Sequence, residues 1–182
     1  MRNKILISSI IFVTIFIFLV GFFLIQQKEK PIPEKRENIS YSIFFPGKTT
    51  REEIIAKAGI PSSTQSVEGK ELLYYDTQNP NYKDLVVIRD GILLYAQENI
   101  FSDEEISLKS ILSSYGDYKT YSSEGTPFVY HVFLEKGIAV EAGEVSISKI
   151  LYFVPQTEKE FLNSIGKDLG IAKEATPELL RP

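Results

Sequence analysis

Hydrophobic positions run from Ile5 to Ile25 without a single charge, break off into a polar stretch, and then return twice in the same order, first at helical and then at strand spacing. The 21 uncharged residues of the first run would span roughly 30 Å as a helix, the thickness of a bilayer's hydrocarbon core. They predict a transmembrane anchor over residues 1–25. A cleaved signal peptide is the competing reading, but the run is longer than an ordinary signal core, and no small-residue cleavage site follows Gly21. Residues 26–40 carry two prolines and seven charges with almost nothing apolar, which predicts an extended tether.

The stretch from Pro46 to Pro61, P-G-K-T-T-R-E-E-I-I-A-K-A-G-I-P, encodes a short helix with both ends specified. Thr50 and Glu53 form a capping-box pair, and Glu52 and Glu53 sit at the positive end of the helix dipole. Ile54, Ile55 and Ala58 share one face. Gly59 supplies the left-handed position beyond the last turn, and Pro61 prevents the helix from resuming. A helix of about two and a half turns is not stable alone, so it must lie on the strands that follow. Those strands are predicted at Glu71 to Asp76, Leu85 to Arg89 and Ile92 to Glu98, with S-S-T-Q-S-V-E-G-K read as a loop before them. Asp90-Gly91 joins the last two as a tight hairpin.

From Ser107 the order begins again. Leu108 to Gly116 predicts a second short helix, in which Ile111, Leu112, Tyr115 and Gly116 fall where Ile54, Ile55, Ala58 and Gly59 fell 57 residues earlier. Strands are predicted at Phe128 to Leu134, Ile138 to Glu141 and Ser146 to Val154. Thr157 to Glu160 caps one more short helix that ends near Ile165. The fold class read from this pattern is α+β: an N-terminal transmembrane helix, then two tandem repeats of a helix plus a three-stranded antiparallel sheet. The repeats occupy 41–100 and 101–165, and 166–182 is a frayed tail.

The organising helix and its sequel, L-L-Y-Y followed by V-V-I-R-D-G-I-L, resemble the SmpA/OmlA family of small envelope proteins, the BamE-like domains, whose fold is shared with the β-lactamase inhibitor protein. The likeness covers residues 44–98 by motif and 107–154 by element order. It implies two helix-plus-sheet repeats and a tendency to bind other proteins, and it carries over no functional residue. This chain departs from the family in lacking the lipidated cysteine that anchors its members.

Charge and composition narrow the function. Arg2 and Lys4 are the only charges before Lys28, which leaves 18 basic against 24 acidic side chains, a net of −6, for the remainder. That argues against nucleic acid as a partner. There is no cysteine, hence no disulfide framework and no thiolate chemistry, and the composition calls for no cofactor or metal. The basic residues flanking the apolar run number two before and four after it, yet the short basic N-tail resembles the start of a secretory signal; the reading adopted places the N-terminus inside and the domain outside the cytoplasm.

No catalytic constellation is evident. His131, mid-strand in F-V-Y-H-V-F, is the single histidine and has no partner set for a metal. Asp103, Glu104 and Glu105 read as the acidic approach to the second helix, and G-K-T at Gly47 to Thr49 lacks the rest of a phosphate loop. The aromatic residues are more informative. Tyr74, Tyr75, Tyr95, Tyr130 and Tyr152 all fall on predicted strands whose two faces both carry large apolar residues. One face takes the helices; the other is either a protein-binding surface with these tyrosines as anchors, or is covered where the two sheets join into one.

The function expected from the sequence is a membrane-anchored, extracytoplasmic, non-enzymatic binding or scaffold module. Its partners would be the membrane, through residues 5–25, and another envelope protein. An envelope hydrolase with a pocket around His131 and a purely structural spacer are the alternatives.

Overall fold

The computed structural model describes residues 40–101, 107–123, 126–143 and 146–174, with side chains given as far as 171. The chain divides into two compact units, Met1–Arg36 and Glu37–Pro182, and all described residues belong to the second. The expected transmembrane helix at 5–25, most of the 26–40 tether, the acidic run 103–105 and the end of the tail lie outside the described residues. Among those described, no helix is long and apolar enough to cross a membrane.

A 3₁₀ turn at Tyr41–Ile43 leads into helix α1, Arg51–Ala58, and then into a four-stranded meander: β1 Ser63–Val67, β2 Lys70–Asp76, β3 Lys83–Arg89 and β4 Ile92–Asn99. Helix α2, Leu108–Tyr115, precedes a second meander of β5 Lys119–Ser123, β6 Val129–Phe133, β7 Ile138–Ala142 and β8 Ile147–Phe153. Helices α3, Glu158–Asn163, and α4, Ile165–Asp168, are followed by β9, Ile171–Glu174. The nine strands among the described residues form one antiparallel sheet in the order β1-β2-β3-β4-β8-β7-β6-β5-β9.

This corrects the expected fold class. Two separate helix-plus-three-strand repeats do not exist: each half contributes four strands, and the halves merge where β4 pairs with β8, Tyr95 opposite Phe153 and Gln97 opposite Leu151. The missing strand of the first half is β1, in the stretch read as a loop. Its hairpin turn is Glu68-Gly69, with φ of 51° and 75°, the same left-handed pair that Asp90-Gly91 adopts at 53° and 77°. Glutamate rarely takes positive φ, so the first turn is hidden where Asp-Gly is not. The tail was expected to fray after Ile165 but continues through α4 into β9, which pairs with β5.

Local causes of the helices match the sequence pattern. The Thr50 side chain accepts from Glu53 N–H, Glu53 reaches back to Thr50 N–H at 2.8 Å, and Gly59 has φ 79°. The same box recurs at Thr157 and Glu160 on α3.

Each face of the sheet is covered differently. On the outer face, α1 lays Ile54 and Ala58 on Leu73, Tyr75, Val86, Ile88 and Leu93. Alongside, α2 lays Ile111 on Phe133, Val140, Ala142 and Ile150. Full burial of Ile54 contributes about 2 kcal/mol, which is what holds so short a helix in place.

The inner face carries one cluster that draws on both meanders, with Val87, Tyr95, Tyr121, Tyr130, Val132, Leu151 and Phe153 packed around Phe161 of α3, Ile165 of α4 and Ile171 of β9. Lys70 of β2 meets Asp168 of α4 at 2.5 Å, although Ile171, three residues later, pairs with Ser123 of β5. Strands from opposite ends of the sheet thus come within a few residues of one another, and the sheet curls around the C-terminal helices.

One turn is unusually tight. Gly137, between β6 and β7, has φ 66°, its carbonyl accepts from Phe153 N–H at 2.7 Å, and a Cβ there would lie 2.1 Å from the Phe153 carbonyl oxygen.

Candidate binding surfaces

Of the five strand tyrosines proposed as anchors, three are core residues. Tyr75, Tyr95 and Tyr130 expose 2%, 4% and 3% of their surface, so none is available to a partner. Tyr95 and Tyr130 are covered by the C-terminal segment, since α3, α4 and β9 fill the face opposite α1 and α2, so it is not an open surface; Tyr75 lies on the other face, packed with Tyr41, Phe44 and Ile54. Tyr74 and Tyr152 remain half-buried. Tyr74 and its neighbour Tyr75 divide between the faces as strand alternation requires, and the Tyr74 hydroxyl lies 3.5 Å from Gln65 Oε1. The Tyr152 hydroxyl donates to Glu98 at 3.3 Å, and Glu98 also takes the Tyr41 N–H, tying the entry of the domain to the middle of the sheet.

His131 is 6% exposed and sits on β6, its ring edge-on to Tyr118 at 5.3 Å and its Nδ1 3.4 Å from Thr120 Oγ1. Burial lowers its pKa below the ordinary histidine value. No carboxylate is bonded to it among the described residues, and no group of His, Asp and Glu side chains there could hold a metal ion. The residues that face solvent at this point are tyrosines that strand patterning alone does not single out. Tyr115 and Tyr118, 36% and 43% exposed, both lean on Phe133 at 5.4 Å.

A buried polar cluster on the inner face likewise has no signature in the sequence. Glu141, 4% exposed, accepts from the Tyr130 hydroxyl, from Ser148 Oγ at 2.7 Å and from Lys149 Nζ at 3.0 Å to both oxygens. Burial pushes its carboxyl up, but these three donors and the lysine charge together hold it below the ordinary glutamate value. Tyr130 is driven upward by burial and by the same carboxylate. Every acceptor site of the carboxylate is engaged, so the arrangement fixes the pairing of β6, β7 and β8 and leaves little capacity for a substrate.

The open edge of the sheet is β1. All five of its residues, Ser-Thr-Gln-Ser-Val, are exposed, and β2 is the strand it pairs with. Because the turn to β2 is two residues long, Val67 and Lys70 form the closing hydrogen-bonded pair, and alternation extends that pattern to Gln65–Leu72 and Ser63–Tyr74. Thr64 and Ser66 therefore turn their backbone N–H and C=O groups away from the sheet. Edge strands are ordinarily blunted by charge or proline, and β1 has neither; the opposite edge, β9, carries Lys173 and Glu174 in its sequence.

No protein-family model and no curated protein matches the sequence. Among solved structures, the chain is similar to a cysteine-rich secretory protein from Staphylococcus aureus subsp. aureus Mu50, at 13% identity and a TM-score of 0.42, over 72% of this chain and 50% of that one. It is also similar to an extracellular protein containing an SCP domain from Bacillus anthracis str. Ames, at 13% identity and a TM-score of 0.43, over 84% of this chain and 57% of that one. The chain thus spans about half the length of these two proteins. The resemblance to the SmpA/OmlA family does not hold: the single nine-stranded sheet among the described residues is not a pair of small α+β repeats, and no family model is matched. What had suggested the family, a capped helix and an Asp-Gly hairpin, encodes local geometry that many folds share.

Proposed function

We propose that this chain is an extracytoplasmic, non-enzymatic protein-binding module, held at the membrane by residues 5–25, that recruits an extended segment of a partner to the β1 edge of its sheet. The observation that carries this reading is the bare edge itself. Thr64 and Ser66 present four backbone hydrogen-bonding groups in strand geometry, on a strand exposed along its whole length and free of charge. A partner strand laid there gains main-chain hydrogen bonds, and its alternate side chains meet Ser63, Gln65 and Val67 on one side and Thr64 and Ser66 on the other. The long apolar run and the export-like basic N-tail of the sequence support an envelope setting. His131 gives no support to a hydrolase, since Tyr118 and Thr120, rather than an acid or a base, surround its ring.

The test is a photo-crosslinking residue at Ser66 of the full chain in intact cells. A discrete adduct with protein, absent when the same residue replaces exposed Lys136 in the β6–β7 turn, is expected. Equal yields at the two positions would remove the edge from consideration.

A further inference from the structure

The strand that β1 receives has a chemistry that the edge itself specifies. We infer that the occupant is β1 of a second copy of this chain, paired antiparallel about a two-fold axis through Gln65; this rests on the reading of the edge as a strand-binding surface and names its partner.

Three observations converge on self-pairing. In a two-fold contact each residue meets itself or a symmetry-placed neighbour, so a single charge near the axis would face a like charge. From Ile60 to Val67 there is none, in a domain where 24% of the chain is charged and where this strand is fully exposed. Exposed strands without charge are what a self-complementary edge requires and what an unpaired edge avoids.

The outward backbone groups also fall in the right phase. With Gln65 opposite Gln65 of the second copy, Thr64 stands opposite Ser66 and Ser66 opposite Thr64, and these are the residues whose N–H and C=O groups point outward. Both symmetric pairs are then hydrogen-bonded, and Gln65 forms the close, non-hydrogen-bonded pair at the centre. In this register all five residues of β1 are matched, Ser63 with Val67 at each end, and Glu68 in the turn lies beyond the strand. The hydroxyls and amide of the edge can bond across the interface on both faces. The two nine-stranded sheets become one continuous sheet. The other edge cannot do the same as readily, since β9 ends in Lys173 and Glu174.

The chain contains no cysteine, so one introduced thiol reports without ambiguity. In the full chain reconstituted in lipid vesicles, Gln65→Cys should form a disulfide dimer on mild oxidation, at least tenfold more than Lys136→Cys, because the central pair has its Cα atoms about 4.5 Å apart, within disulfide reach. Thr64→Cys should crosslink efficiently only when mixed with Ser66→Cys. Gln65→Lys and Gln65→Glu, both on an exposed position that leaves the fold intact, should each sediment as monomers in detergent, and mixing them should restore the dimer.

Self-crosslinking no greater than that of Lys136→Cys, with a sedimenting monomer for the parent chain, overturns the inference. If position 65 or 66 crosslinks in cells to a different protein while self-crosslinking is absent, the edge still binds strands and only the identity of the occupant is wrong. If neither kind of adduct forms, the edge reading falls together with the inference.

Discussion

Replacing Gly137 by alanine tests the close approach of the β6–β7 turn to the end of β8. Its φ of 66° costs an alanine about 1 kcal/mol. Steric conflict costs more: the added Cβ would stand 2.1 Å from the Phe153 carbonyl oxygen and 3.1 Å from Pro155 Cδ, so the turn must move off the end of β8. Moving it breaks the Phe153 N–H to Gly137 carbonyl bond and leaves a buried donor beside Phe153, which costs about 1–3 kcal/mol. Together these amount to about 3 kcal/mol. Gly69→Ala is the matched control, since its φ of 75° is similar and nothing lies within 4 Å of its Cβ position. It should lose only about 1 kcal/mol. Urea unfolding followed by circular dichroism resolves the two, and the midpoint of Gly137→Ala should fall well below that of Gly69→Ala at an unchanged slope. Equal losses for the two variants would mean that Gly137 does not touch β8, and the pairing of β7 with β8 at that end would need revision.

The histidine makes stability depend on pH. Burial lowers the His131 pKa, so the neutral ring is the form the fold prefers; that stability is complete above the ordinary value of 6.5 and is lost as pH falls from 6.5 through the lower folded value. His131→Gln should flatten this part of the profile in denaturant titrations at pH 7.5 and 5.5, and an unchanged slope would show the ring to be solvated. Glu141→Gln removes the charge that pairs with Lys149 and replaces one of the two accepting oxygens by an amide donor facing the Tyr130 hydroxyl or the Ser148 hydroxyl, and should destabilise the domain by about 2–3 kcal/mol at pH 7, partly offset by water reaching the lysine. Because the folded pKa of Glu141 lies below the ordinary 4.5, its contribution is present above 4.5 and disappears as pH drops below it, so parent and variant should converge in acid. A gap that persists undiminished at pH 2 would assign the loss to packing instead.

The parts of this fold that sequence reveals are those written in short-range chemistry. Thr50, Glu53 and Gly59 define α1 because each acts on backbone groups within a turn of itself, and Asp90-Gly91 defines a hairpin for the same reason. β1 escaped because Ser-Thr-Gln-Ser-Val has no apolar alternation to mark a strand; it is held by pairing with β2 and has no buried face of its own. The merger of two expected sheets into one depends on β4 meeting β8, a contact between strands some fifty residues apart that no local pattern announces. The tyrosines show the same limit from the other side. Two apolar faces were visible on the strands that carry Tyr95 and Tyr130, but which segment covers the second face is decided by α3 and α4, and only the structure shows them folding back across it. Of the candidate surfaces, the one that survives is built from backbone groups, which carry no signature in the sequence.

The curl of the sheet around α3, α4 and β9 has a consequence for how the chain matures. The inner core draws on Val87 and Tyr95 from the first meander, Tyr130 and Val132 from the second, and Phe161, Ile165 and Ile171 from the last described segment, so it stays open until nearly the whole chain is present. A chain whose domain emerges across a membrane in sequence order, behind an anchor that stays in it, would deliver β1 to β4 long before their cover, with Leu72, Val87 and Tyr95 facing water and the bare β1 edge beside them. Closure then waits for the C-terminal segment to dock, because no pairing of neighbouring strands can bury that face.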